Sequence, residues 1–225
     1  MKAVVISLGG SVLTTFLEYP EKLNKFKRII HEISRRYKIV LVVGGGSTAR
    51  KYINVAKDFT ENKSILDKIG IAATELNARF LIALLEDVYP KPIKTTDELL
   101  IALQNSNIVV CSGNEPGVST DWDAALFADA IGAKLLINAT RVDGIYDKNP
   151  TKNKDARIIN RLTYSDFFEL MKNQSSEPGN YPLFDLSAIK LLERSKIKLV
   201  VVNGLEPDNI LKAALGKDVG SIVGE

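Results

Sequence analysis

The run Ile39-Val40-Leu41-Val42-Val43 stops at three consecutive glycines, Gly44-Gly45-Gly46, and a helical pattern opens at once through Ser47, Thr48, Ala49, Arg50, Lys51 and Tyr52. An unbroken apolar, mostly β-branched stretch suits a strand covered on both faces, which is the condition of a parallel sheet. Glycine alone lets a backbone come close to a bulky anion, and the first amides of a helix point outward with the positive end of its dipole behind them. The stretch therefore reads as a phosphate-binding turn between a buried strand and a helix.

The same grammar repeats. Residues 3–8, 107–112, 134–139 and 197–202 are also continuous apolar runs. Between them, 21–37 sets Leu23, Phe26, Ile30, Ile33 and Tyr37 on one stripe with charged residues opposite. Further helices are expected at 48–58, 64–86, 95–104, 121–131, 163–173, 185–196 and 207–215. Strand and helix in alternation predict an α/β fold, a three-layer α/β/α sandwich around a mainly parallel sheet. Pro90 and Pro92 limit 88–94 to an edge strand or a connection. Residues 174–182 are the most loop-like segment. One domain spanning 1–225 is expected, with lobes near 1–150 and 151–225 that no linker divides.

Composition narrows the function classes. Of 225 residues, 45% are hydrophobic and 25% charged, and the net charge of +3 is spread without a basic stripe, so neither a nucleic-acid partner nor a membrane surface is expected. No apolar run approaches the roughly 18 residues of a membrane span. The amino terminus enters a strand directly with no signal-cleavage pattern, which predicts a cytoplasmic protein. The single Cys111 excludes a disulfide framework and a zinc cluster, and it reads as a small buried hydrophobe.

Three other segments leave strand ends. Gly9-Gly10-Ser11 follows the first strand and is either a second phosphate turn or a simple chain reversal. The triplet matches G-x-G-x-x-A through Gly44, Gly46 and Ala49, so a dinucleotide-binding unit has to be weighed; that fingerprint wants an acidic residue closing the next strand, whereas Asp67 opens a helical run. The ten-residue turn from Ser112 to Asp121 is longer than capping requires, although Thr120 or Asp121 could cap the helix near Trp122. The segment Asn138 to Pro150 carries Asp143-Gly144 as a turn signal, and Tyr146 either stacks on a base or packs. His31 reads as a surface histidine and Trp122 as core.

Together these segments resemble the amino-acid kinase family, in particular its uridylate kinase branch. The resemblance is carried by Gly9-Gly10-Ser11-Val12-Leu13, Gly44 to Tyr52, Asp67-Lys68-Ile69-Gly70, Pro116-Gly117 with Thr120-Asp121, Thr140 to Pro150, and Asp185-Leu186-Ser187-Ala188, in the family's order and over essentially the whole chain. Gly9-Gly10-Ser11 is similar to the archaeal form of the first motif rather than the bacterial one. The resemblance implies transfer of the ATP γ-phosphoryl group to UMP with Mg²⁺, and assembly as a homohexamer, a trimer of dimers. It implies that Gly9 and Gly10 face the ATP phosphates, and that Gly46 and Arg50 face the transferred group and ATP. It places Gly45, Asp67 and the loop Asn114, Glu115, Pro116, Gly117, Val118, Ser119 and Thr120 around UMP, with Thr140, Tyr146 and Asn149 bordering the adenosine. Arg50, Gly10 and Lys190 become the candidate catalytic groups, and no protein metal ligand is assigned.

The chemistry agrees. A nucleoside monophosphate attacks through an oxygen already ionised at neutral pH, so catalysis reduces to positioning and charge neutralisation. Two departures stand out: Ser7 occupies a position where many relatives carry lysine, and Asn149-Pro150 replaces Asp-Pro. The rival readings are a sister kinase acting on a carboxylate, carbamate or isopentenyl phosphate, and a non-catalytic nucleotide-binding or storage protein on the same fold.

Overall fold

A computed structural model describes residues 2–175 and 183–224. Five strands, β1 (Ala3–Leu8), β2 (Lys38–Val43), β3 (Ile108–Cys111), β4 (Leu135–Thr140) and β8 (Lys198–Asn203), form the parallel body of a sheet ordered β3-β2-β1-β4-β8. All five match the continuous apolar runs of the sequence. The sheet continues through β9 (Ser221–Val223), antiparallel to β8, to β7 (Arg161–Leu162), parallel to β9. A separate two-stranded piece joins β5 (Ile145–Tyr146) to β6 (Ile158–Ile159). These four short strands have no run long enough to read from sequence. The sheet takes strands from 1–150 and from 151–225 alike, crossing at the β4–β8 pair.

Side chains alternate across the strands and build two cores. On one face Val5, Val40, Val42, Val109, Leu136, Leu199 and Val201 pack against α5 (Thr96–Asn105), α6 (Thr120–Ala130), α7 (Tyr164–Ser175) and α8 (Leu186–Ser195). On the other, Val4, Ile6, Leu8, Leu41, Val43, Ile137 and Val202 pack against α1 (Gly10–Glu18), α2 (Pro20–Ser34), α4 (Lys63–Leu84) and α9 (Asp208–Ala214). The remaining helix, α3 (Gly46–Ala56), lies along α4. Three layers result, as the alternation of patterns predicted.

Three details differ from expectation. Gly10 begins a helix immediately, so the first glycine pair belongs to a strand–helix junction rather than a free turn. The helix expected over 21–37 ends at Ser34; Tyr37 is partly buried after it, and Ile29 joins Phe26, Ile30 and Ile33 on the buried stripe. Gln174 and Ser175 complete α7, while 176–182, the rest of the loop-like segment, lie outside the described residues. The proline-bearing connection 88–94 touches the edge strand through single bridges at Val88 and Ile93, as its prolines require.

What this topology positions is decisive. From β1 the chain moves outward through β2 to β3, then returns across β1 to β4 on its other side. The crevice beyond the strand ends at such a reversal is where ligands bind in open α/β sheets. Gly9 sits there, its amide donating to the Ala139 carbonyl at the end of β4 over 2.9 Å.

Candidate active site

The two glycine turns of the sequence meet. A Cβ on Gly10 would overlap the Gly44 carbonyl and the Gly46 amide, and a Cβ on Gly46 would overlap the Gly10 carbonyl. Gly46 also has φ of +66°, a conformation that side chains resist. The contact brings the N-termini of α1 and α3 side by side. Neither helix has a side-chain cap or an acidic residue in its first turn. By contrast α4, α5, α6 and α8 are capped by Asn62, Thr95, Ser119 and Asp185. Two adjacent helix starts with no side chain satisfying their amides form a corner of the kind that suits an anion.

A cleft of about 470 Å³ opens from this corner. Gly45, Gly46, Arg50, Asp67, Glu115, Gly117, Val118, Ser119, Thr120 and Asp185 line it. Asn114 and Pro116 belong to the same loop without lining the cleft. Arg50 is exposed on α3, and it joins none of the ion pairs found among the described residues. Asp67, on α4, accepts the Gly117 amide through Oδ2 at 2.9 Å and so ties the loop down. Ser119, rather than Thr120 or Asp121, caps α6: its hydroxyl oxygen accepts the Trp122 amide at 3.1 Å, and its hydroxyl donates to Asp185 at 2.9 Å.

A second, smaller cavity of about 180 Å³ is lined by Tyr146 and Asn149, with Val142, Lys148, Met171 and Gln174. Thr140 lies at the end of β4 and lines neither cavity. The Tyr146 hydroxyl donates a long hydrogen bond, 3.5 Å, to Asp143, whose other oxygen accepts from Asn203 at 2.8 Å. Burial first, then the Asp143 charge, raises the Tyr146 phenol above its ordinary pKa. Asn149 Oδ1 accepts both the amide and the hydroxyl of Thr151, which fixes the turn.

Two sequence candidates stand elsewhere. Lys190 is exposed on α8 with its ammonium 5.0 Å from the centre of the Phe168 ring, and it does not line the cleft. His31 is half-buried rather than purely superficial, and its Nε2 accepts the Glu86 amide at 3.3 Å. Trp122 and Cys111 belong to the core, as read.

The family is now decided by comparison. The profile of the amino acid kinase family matches residues 2–203. The chain belongs to the amino acid kinase family. Among its relatives, the uridylate kinase of Hyperthermus butylicus is 44% identical over 98% of this chain and 97% of that protein. The uridylate kinase of Sulfurisphaera tokodaii is 41% identical over 89% of this chain and 88% of its own length. The crystal structure of uridylate kinase from Archaeoglobus fulgidus superposes with a TM-score of 0.87 at 38% identity, covering 99% of this chain and 100% of that one. UMP kinase from Bacillus anthracis shares the fold, with a TM-score of 0.81 at 21% identity.

Within this amino acid kinase fold, sequence reading passed over three polar side chains, Thr74, Asn77 and Asp123, and took Asp121 for a possible cap and a motif residue. Thr74 and Asn77 project from α4, and both are buried. Asp123 is buried behind the loop with Oδ2 unpaired, and its carboxyl is pushed up to about 6 by burial and by Glu115. Asp121 accepts the Ser7 hydroxyl at 3.3 Å beside the corner. Burial, then the nearby Asp185 charge, raises its pKa to about 7, with the Ser7 bond opposing. Ser7 thus supplies a hydrogen bond to Asp121 but no charge.

A carboxyl whose folded pKa is raised gives the folded state the tighter hold on its proton. Its stabilising contribution is complete below the unfolded value near 3.8 and is lost as pH rises to about 7. Asp121→Asn, which keeps the shape without the charge, should therefore leave stability little changed at pH 4.5 and raise it at pH 8, by on the order of 2–4 kcal/mol. Thermal unfolding at both pH values checks this; an equal shift at each would refute it.

Proposed function

We propose that this chain transfers the γ-phosphoryl group of ATP to UMP, giving ADP and UDP. The observation that carries the reading is the pair of uncapped helix N-termini meeting at Gly10 and Gly46, with an acceptor-sized cleft opening beside them. The named activity of the relatives supplies the substrates. In this reading an ionised oxygen of the UMP phosphate forms the new bond to phosphorus as the bond to the β-phosphate oxygen of ADP breaks, and that electron pair leaves with ADP.

No proton is removed from the nucleophile, so no general base is required. The work is alignment and stabilisation of charge on the three equatorial oxygens. Backbone amides of both helix starts face that charge without reorganising, and Arg50 adds a guanidinium at the cleft wall. Asp67 and the 114–120 loop hold the acceptor nucleoside, and the Tyr146–Asn149 cavity borders the adenine side.

Phosphoryl transfer from ATP uses a divalent metal, and we take it to be Mg²⁺ arriving on the nucleotide. Among the described residues no group of three or more His, Cys, Asp or Glu gathers to hold a cation. Mg²⁺ keeps phosphate oxygens and waters as ligands and needs at most one or two carboxylates from the protein. Asp121 and Asp185, close enough to repel each other, are the carboxylates beside the corner. No described helix is long and apolar enough to cross a membrane, and we place the reaction in the cytoplasm.

We further propose a homohexamer built as a trimer of dimers. Such a ring needs two non-equivalent interfaces. Two apolar surfaces support it: Tyr52 (68% exposed), Val55 and Phe59 (83%) share one side of α3 and the turn after it, and Leu100 and Ile101 stand out on α5.

ADP release measured with UMP, CMP, dUMP, carbamate, N-acetylglutamate and isopentenyl phosphate should show UMP as the preferred acceptor. Preference for another acceptor would select a sister kinase, and silence with all would select a binding protein. Arg50→Ala should lower kcat by roughly 10²–10³ without changing the unfolding transition; wild-type turnover would remove Arg50 from the mechanism. Phe59→Glu should reduce the mass found by sedimentation, and an unaltered mass would place the interfaces elsewhere.

A further inference from the structure

One stripe of α4 carries three polar attachments to the site, and two of them come from buried side chains. Thr74 and Asn77 are each 5% exposed on a helix whose other buried residues are apolar. Asn77 Nδ2 donates to the Gly44 carbonyl at 2.7 Å. Thr74 uses both capacities of its hydroxyl: it donates to the Ile71 carbonyl at 2.7 Å and accepts the Gly113 amide at 2.9 Å. Asp67, two turns earlier, accepts the Gly117 amide. Gly70 and Ala73 lie between, so close to the corner that a Cβ on Gly45 would stand 3.2 Å from the Gly70 carbonyl oxygen and 3.5 Å from the Ala73 Cβ.

These positions, 67, 70, 73–74 and 77, recur at three- and four-residue intervals and so share one face of a helix. A helix rises about 1.5 Å per residue, so roughly 15 Å separates Asp67 from Asn77 whatever the loops do. Gly117 has φ of +80° and a Cβ there would meet nothing, so no packing at that position holds the loop in place. A buried amide or hydroxyl left unpaired carries a desolvation penalty, so each bond resists being broken by loop movement.

We propose that Thr74 and Asn77 are positioning residues that lock the 113–117 loop and the Gly44–Gly46 corner to one rigid helix, fixing the separation between acceptor nucleoside and acceptor phosphate. The inference rests on the acceptor reading of this cleft. Thr74 acts through Gly113 and governs how well the nucleoside is held. Asn77 acts through Gly44 and governs the geometry at the transferring group. The two should therefore differ in kinetic signature, because lost uniform binding appears in KM while lost transition-state alignment appears in kcat.

The test compares Thr74→Val, Thr74→Ser and Asn77→Leu with the wild type. Thr74→Val should raise the KM for UMP about tenfold with the KM for ATP and kcat within twofold, and Thr74→Ser should restore it. Asn77→Leu should lower kcat about tenfold with the KM for UMP within threefold. A merely structural role would reduce the active fraction and the melting temperature while leaving both constants unchanged per active site, and that result would overturn the proposal. Amide exchange provides a readout independent of turnover: protection at Gly113 should fall in Thr74→Val and not in Thr74→Ser. Inactivity of the wild type toward UMP would defeat the acceptor reading instead, while unchanged Gly113 protection in Thr74→Val would defeat the lock itself.

Discussion

Gly10 and the Gly44–Gly46 turn touch through backbone alone, and the rest of the site is arranged around that contact. With any side chain at Gly10, the Gly44 carbonyl and the Gly46 amide would have to move away, and the starts of α1 and α3 would separate. Separated, each helix would be an ordinary uncapped end hydrated by water. Adjacent, they present two sets of unpaired amides and two positive dipole ends to one small volume. The parallel sheet makes the contact unavoidable, because β1 and β2 pair in register from Ala3 with Lys38 to Leu8 with Val43 and so deliver their following glycines to the same level.

The electrostatics of this corner come largely from backbone rather than from side chains. Ser7 stands at the end of β1, buried and neutral, and its hydroxyl contacts Asp121. The cations nearby are peripheral: Arg50 is exposed on α3, and Lys190 rests over Phe168. Fixed dipoles suit phosphoryl transfer, since charge spreads over several oxygens and oriented amides need no rearrangement to meet it. The half-buried carboxyl of Asp121 shows the other side of such a place, where desolvation and the Asp185 charge disfavour a second negative group.

Much of the fold was legible because its strands are buried on both faces. Continuous β-branched runs at 39–43 and 197–202 have no other economical use in a chain of this composition. The glycine triplet and the long 113–121 turn were legible for a related reason: glycine and proline mark backbone that must bend or be approached. The short strands β5, β6, β7 and β9 escaped notice, because pairs and triplets of residues become strands only when a neighbour supplies their hydrogen bonds. Ser119 as the cap of α6 was missed for want of geometry, since Thr120 and Asp121 have equal capping chemistry. Thr74 and Asn77 gave no signal at all: in a helix of mixed composition, a threonine and an asparagine look like ordinary surface residues.

The sequence by itself determined the five long strands and every helix but α1, where the backbone could admit an anion, and which reaction classes the side chains could not perform. Those properties are local, set by periodicity, by the absence of a Cβ and by the chemistry each residue carries. Only the tertiary structure decided that Gly10 and Gly46 abut, that Ser7 and Asp121 share a hydrogen bond 114 positions apart in the chain, and that one helix holds both loops of the cleft. Pairings between distant residues depend on strand order and on the packing of helices across the sheet, and no local pattern encodes them.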